Sequence, residues 1–100
     1  MKRTLIRYKT APDRADENQR LIERVFAELH EKSPEGVRYM VLRLSDGTFV
    51  HFVVPPSEGP NPIPALEAFK SFQKGVKERC SDPPQSGEAT LVGNYGMLRD

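Results

Sequence analysis

One hundred residues with a formal net charge of +1 make a single small domain and give no general reason to expect a polyanionic partner. A composition that is 37% hydrophobic and 29% charged is ordinary for a globular protein and argues against disorder. The one cysteine, Cys80, excludes an internal disulfide framework and a multi-cysteine zinc site, and no apolar run is long enough for a signal-peptide core or a membrane span, so a cytoplasmic location is expected.

Thr4–Lys9 (TLIRYK) reads as a short strand ended by Ala11-Pro12. DRADENQRLIERVFAELHEK is the clearest helix. Ile22, Val25, Phe26 and Leu29 recur at helical spacing and form one apolar stripe, which Ala15 and Asn18 extend toward its start. It must end near Lys32, because Ser33 precedes Pro34 and is pushed out of the α region.

GVRYMVLRLSDGTFVHFVVPP reads as two strands around Asp46-Gly47, a strong hairpin signal. A two-residue loop would pair Leu44 with Phe49 and Leu42 with His51. One face would then carry Met40, Leu42, Leu44, Phe49, His51 and Val53, and the other Tyr39, Val41, Arg43, Val50, Phe52 and Val54. Both faces are apolar, so both need a cover. The first is assigned to the helices and the second to a partner.

Pro55–Pro64 holds five prolines and is a stiff connection that cannot continue a ladder. PALEAFKSFQKGVKERC follows as a second helix, with Ala65, Phe69, Phe72 and Val76 as its stripe and Gly75 as a weak point. SDPPQSGE reads as a loop, and ATLVGNYGML as the last strand.

The order is therefore β-α-β-β-α-β, a ferredoxin-like α+β fold with a four-stranded antiparallel sheet and two helices on one face. Two helices cover one sheet face only. The simplest cover for the other is a second copy of the chain, a homodimer through the second sheet face.

Candidate chemistry centres on His51, a titratable group within an apolar strand. Its bland reading is a packed histidine satisfied by one hydrogen bond. Its functional reading is a catalytic acid/base group in a sheet–helix cleft. Further polar strand residues that could share a pocket as ligand contacts are Arg7, Tyr8, Tyr39, Arg43, Asn94 and Tyr95. Asn18 could bond a neighbouring loop, and Pro55–Pro64 could rim an entrance. No metal-binding or cofactor motif is present. The run from Ser45 to Phe52 matches only the second half of an RNA-recognition signature, lacking its basic residue and one ring, so an RNA-binding domain ranks last.

From Thr4 to Met97 the chain resembles the dimeric α+β barrel superfamily, ferredoxin-like homodimers that include antibiotic-biosynthesis monooxygenases and haem-degrading enzymes. The element order, the size, the doubly apolar strands VRYMVLRL and FVHFVV, and the helix ADENQRLIERVFAEL carry the likeness. It implies two sheets packed face to face, with any pocket between the sheet and helices of each subunit. The better-known enzymes of that group rely on a tryptophan alongside asparagine, arginine or histidine. This chain has no tryptophan, so none of their active-site residues is carried over.

The leading expectation is thus a small homodimer that binds a partly hydrophobic small molecule. As an enzyme, it would be a cofactor-independent monooxygenase-like or proton-transfer catalyst. The alternative is a non-catalytic ligand-binding or dimerisation module.

Overall fold

The computed structural model describes residues 3–97. Strand β1 (Thr4–Thr10) leads through a 3-10 turn at Pro12–Arg14 into helix α1 (Ala15–Lys32). Strands β2 (Arg38–Arg43) and β3 (Thr48–Val54) form the hairpin. After a 3-10 turn at Ile63–Ala65 come two short helices, α2 (Glu67–Gln73) and α3 (Val76–Arg79), and then strand β4 (Cys80–Glu88). The sheet order is β2-β3-β1-β4, every pair antiparallel. The β-α-β-β-α-β order and the ferredoxin-like fold stand as expected.

The amphipathic stripe of α1 does what its spacing requires. Ala15, Asn18, Ile22 and Val25 are buried, and they join Tyr8, Phe49, Leu66 and Phe72 between sheet and helices. Ser33 ends the helix in the left-handed region at φ 44°, and its N–H bonds to the carbonyl of Leu29 at 2.7 Å. Glu28 of α1 receives the N–H groups of Glu67 and Ala68 at 3.4 and 2.9 Å, so the carboxylate of one helix caps the start of the next. These bonds and Lys32 hold the Glu28 carboxyl below its ordinary range, with the Lys32 contact the largest influence.

The hairpin differs from expectation by one residue, and the difference matters. Leu44 N–H bonds to Thr48 O and Gly47 N–H to Leu44 O, so the loop is Ser45-Asp46-Gly47, three residues long. Gly47 sits at φ 91°, which only glycine adopts without strain, and Asp46 accepts the Thr48 N–H at 2.9 Å. The Gly47 carbonyl in turn accepts the N–H of Thr10, tying the turn to β1. The extra residue slides the register: Val41 now faces His51, Tyr39 faces Val53 and Arg43 faces Phe49. A slip of one residue exchanges the faces of a strand. Tyr39, Val41 and Arg43 therefore lie on the helix side with Phe49, His51 and Val53, and Met40 and Leu42 join Val50 and Phe52 on the open side. This corrects the face assignment made from a two-residue loop.

The last strand is also corrected. It is Cys80–Glu88, the segment read as a loop, and the apolar ATLVGNYGML is not a strand. β4 is an edge strand, where Pro83 and Pro84 need not donate to a neighbour. The register steps from Arg7↔Gln85 to Lys9↔Asp82 and then to Thr10↔Cys80, so β4 carries an extra residue at the prolines and another at Ser81. The Ser81 hydroxyl donates to the Lys9 and Thr10 carbonyls at that second irregularity. Beyond Glu88 the ladder continues only as far as Ala89, whose N–H bonds to Arg3 O. Val92 and Tyr95 are almost wholly exposed, and Leu98, the end of the expected strand, lies outside the described residues.

On the open side, Leu5 pairs with Phe52, which pairs with Met40; Arg7 pairs with Val50, which pairs with Leu42. Leu5, Met40 and Leu42 are 39, 38 and 52% exposed, which leaves an apolar sheet face in contact with solvent.

Candidate functional site

His51 is 3% exposed at the centre of β3, under α2. Aromatic rings surround it, with centroids of Tyr8, Phe72 and Tyr39 at 5.3, 5.5 and 5.9 Å. Neither ring nitrogen is idle: Nε2 lies 2.9 Å from the Tyr8 hydroxyl and Nδ1 lies 2.7 Å from the Tyr39 hydroxyl. The corrected register makes the second contact, since Tyr39 and His51 stand one pair apart along β2–β3 on the helix side.

The polar chain continues inward. The Asn18 amide donates to the Tyr8 hydroxyl at 2.9 Å, and Arg79 Nε donates to Asn18 Oδ1 at 2.9 Å. Asn18 and Arg79 are 0 and 2% exposed, so five side chains from β1, α1, β2, β3 and α3 form one hydrogen-bonded line through the core. Arg79 also donates from NH2 to Phe72 O at 2.7 Å, and its guanidinium lies 5.4 Å from the Phe72 ring centroid. Buried polar groups survive in a core only when partnered, and these are.

Burial decides the protonation states. It pushes His51 from 6.5 down to about 4, so the ring is neutral at neutral pH. Burial also raises the Tyr8 and Tyr39 phenols well above their ordinary range, so both keep their protons. It works against the charge of Arg79 too, chiefly by desolvation, although a guanidinium keeps its proton.

Above this line lies a cavity of about 320 Å³ between the sheet and α2. Ile6, Val53, Ile63, Phe69, Phe72 and Val76 supply its apolar walls, and Tyr8, Tyr39 and His51 a polar floor with Asn61 and Gln73 nearby. Among the described residues, no aspartate, glutamate, lysine or arginine lines it. Pro55, Asn61 and Pro64 border it, so part of the proline-rich connection forms its rim. The Asn61 side chain accepts the Ile63 N–H at 3.1 Å, which holds that rim in a turn.

Of the residues singled out from sequence, the structure thus brings His51, Tyr8 and Tyr39 together. It places the other four elsewhere. Arg7 is on the open face of β1. Arg43 bonds Asp16 and Gln19 of α1 at 3.0 and 2.6 Å, near the Phe49 ring. Asn94 accepts the Met97 N–H, and Tyr95 is 99% exposed, both in the irregular segment after β4. Arg79 was missed. Its only sequence signal is a cation near the end of a helix, which ordinarily marks a solvated terminus. Phe49, one of the rings in the partial RNA signature, is 1% exposed on the helix side and presents no stacking surface. Among the described residues, no group of three or more His, Cys, Asp and Glu side chains could hold a metal ion, and no helix is long and apolar enough to cross a membrane.

No family model and no curated protein matches the sequence. Solved structures do match the fold. A Bacteroides thetaiotaomicron protein provisionally named an antibiotic biosynthesis monooxygenase aligns with a TM-score of 0.75 at 14% identity, over 99% of this chain and 95% of that one. A Nitrosomonas europaea protein with the same provisional name gives 0.73 at 12% identity, over 93 and 100% of the two chains. A Mycobacterium tuberculosis protein gives 0.71 at 13% identity, over 95 and 98%. At these identities the likeness is one of fold, the ferredoxin-like α+β arrangement.

The buried histidine has a thermodynamic consequence. The unfolded chain takes up a proton on this ring near its ordinary pKa, whereas the native state does so only near 4. Native stability therefore falls as pH drops from about 6.5 to about 4, by an amount on the order of 3 kcal/mol over the full window. In urea unfolding at pH 7 and at about pH 4.5, the wild type should lose about 2–3 kcal/mol more than His51→Gln. Equal losses in the two proteins would contradict a buried neutral ring.

Proposed function

We propose that this chain is a small homodimeric α+β barrel protein that takes a neutral, partly aromatic small molecule into the cavity above His51. The observation that carries this reading is the combination of apolar walls, an uncharged lining and a hydrogen-bonded Tyr-His-Tyr floor. A carboxylate or phosphate would enter without a counter-charge, which a desolvated site disfavours. A flat apolar molecule with one or two oxygens would pack on Phe69, Phe72 and Val76 and spend its polar atoms on the floor.

The enzymatic form of this reading is cofactor-independent oxygenation, and the names carried by several proteins of the same fold support it. An electron-rich hydroxyaromatic or enolisable compound loses a proton to water, its anion reduces molecular oxygen, and the peroxide anion takes a proton back from water. The carbon hydroperoxide so formed loses water to leave a carbonyl. The chain's part would be to hold the oxyanion with the Tyr39 hydroxyl and to exclude water. Proton traffic has a route through Tyr39, His51 and Tyr8, with both phenols protonated at rest. His51 acts through its tyrosines here, because both ring nitrogens are already engaged. That same engagement favours the second reading, a non-catalytic ligand-binding module, since no free base faces the cavity among the described residues.

The homodimer is part of the proposal. The open face formed by Leu5, Met40, Leu42, Val50 and Phe52 suits a second copy related by a two-fold axis, which would bury the same patch on both partners. Leu42→Asp should shift the sedimentation profile at micromolar concentration from dimer to monomer. A wild type already monomeric at tens of micromolar would remove this element of the proposal.

Oxygen uptake with a dihydroxynaphthalene separates the two readings of the cavity. The wild type should exceed the uncatalysed rate, and Tyr39→Phe should lower that acceleration by about a hundredfold or more. No acceleration by the wild type, with binding intact, would leave the ligand-binding module.

A further inference from the structure

The hydrogen-bonded line beneath the cavity has a direction, and the residue at its inner end sets it. Gly75, at φ 87°, breaks the chain between α2 and α3 and lets the last carbonyls of α2 meet the Arg79 guanidinium. Phe72 O accepts from NH2 at 2.7 Å and Lys74 O from NH1 at 3.5 Å, leaving Nε to donate to Asn18 at 2.9 Å. A guanidinium can only donate. The Asn18 atom facing it is therefore oxygen, and the amide nitrogen must face Tyr8, to whose hydroxyl it donates at 2.9 Å. The Tyr8 oxygen thus accepts, and its single proton has one buried partner left, His51 Nε2 at 2.9 Å. With Nε2 accepting, the neutral ring carries its proton on Nδ1 and donates to the Tyr39 oxygen at 2.7 Å. The Tyr39 proton is then left for the cavity. The reverse arrangement would aim two donors at the Tyr8 oxygen and leave the Tyr8 proton without an acceptor among its hydrogen-bonded neighbours Asn18 and His51.

We propose that Arg79 is a positioning residue that acts through Asn18, Tyr8 and His51 to make Tyr39 a hydrogen-bond donor toward the cavity, so that the site selects neutral ligands offering an acceptor oxygen, such as a ketone, over ligands offering only a donor. This rests on the reading of the cavity as a ligand site. The Arg79 side chain need not approach the ligand for the selection to operate. The line transmits a donor from end to end because each intermediate group has one role left once its inner neighbour has taken the other.

The tautomer of His51 can be read by nitrogen-15 NMR in a His30→Gln background, which leaves it the only histidine. At neutral pH the expected form carries its proton on Nδ1. Asn18→Asp should invert it. An ionised carboxylate paired with Arg79 only accepts, so the Tyr8 proton turns inward and His51 holds its proton on Nε2 to donate to Tyr8. A wild-type ring protonated on Nε2, or an Asn18→Asp ring still protonated on Nδ1, would overturn the proposal. The first spectrum needs no change within the line itself, only the exchange of the exposed His30.

Binding of acetophenone, which only accepts, and indole, whose N–H only donates, supplies the second measurement. The wild type should favour acetophenone by about threefold to tenfold, the scale of one neutral hydrogen bond, and Asn18→Asp should reverse the order. Equal affinities would overturn the selectivity. Binding of neither probe, with the Nδ1 tautomer in place, would show the ligand-site reading to be at fault and the selectivity with it.

Discussion

One residue of register in the β2–β3 hairpin decides which groups meet beneath the helices. The turn Ser45-Asp46-Gly47 adds a position that only a left-handed glycine accommodates readily, and this places Tyr39 on the same side of the sheet as His51. Without that step Tyr39 would face away, Nδ1 of His51 would lose its partner, and the cavity would lose one hydroxyl of its floor. The same step moves Met40 and Leu42 to the opposite side, where they complete an apolar surface with Leu5, Val50 and Phe52. The polar floor and the exposed apolar sheet are two results of one turn.

The floor is costly to build. It buries an imidazole, a phenol, an amide and a guanidinium, and half-buries the Tyr39 phenol, at a place where most of the contacts are apolar. Each group is tolerable because the next supplies its missing partner, and the inner end is anchored by the carbonyls that close α2. Gly75 is what permits that closure, and the short α3 then delivers both Arg79 and the start of β4. Hydrophobic packing alone would not maintain such a line, since an apolar core of equal volume avoids the desolvation altogether. Its persistence next to an uncharged cavity is the physical reason for reading the two as one site.

Much of the fold was legible in the sequence because it rests on periodicity. The α1 stripe, the stop at Ser33-Pro34 and the doubly apolar strands each carry a strong local signal. The failures have specific causes. Asp46-Gly47 suits both two- and three-residue hairpin loops, and only the register with β3 distinguishes them. SDPPQSGE lacks every strand preference, yet the free edge of β1 needs a partner, and the chain leaving α3 is already beside it. Tertiary pairing overrode propensity there, while the more apolar ATLVGNYGML was left outside the ladder. His51, Tyr8 and Tyr39 could be singled out as polar groups on apolar strands. Arg7 and Arg43 looked equivalent to them, because a sequence does not show which side of a sheet a side chain takes when both sides are apolar. Arg79 gave no warning, since its burial depends on the break at Gly75 and on Asn18, sixty-one positions away.

The central claim is that the space above His51 receives a ligand, while the opposite side of the sheet does not. A titration of the isotope-labelled protein with acetophenone, followed by amide and side-chain chemical shifts, tests it most directly. The shifts should concentrate on Ile6, Tyr39, His51, Phe69, Phe72 and Val76, saturate together, and spare Met40, Leu42 and Phe52. Shifts confined to the open face, or none at millimolar ligand, would contradict it.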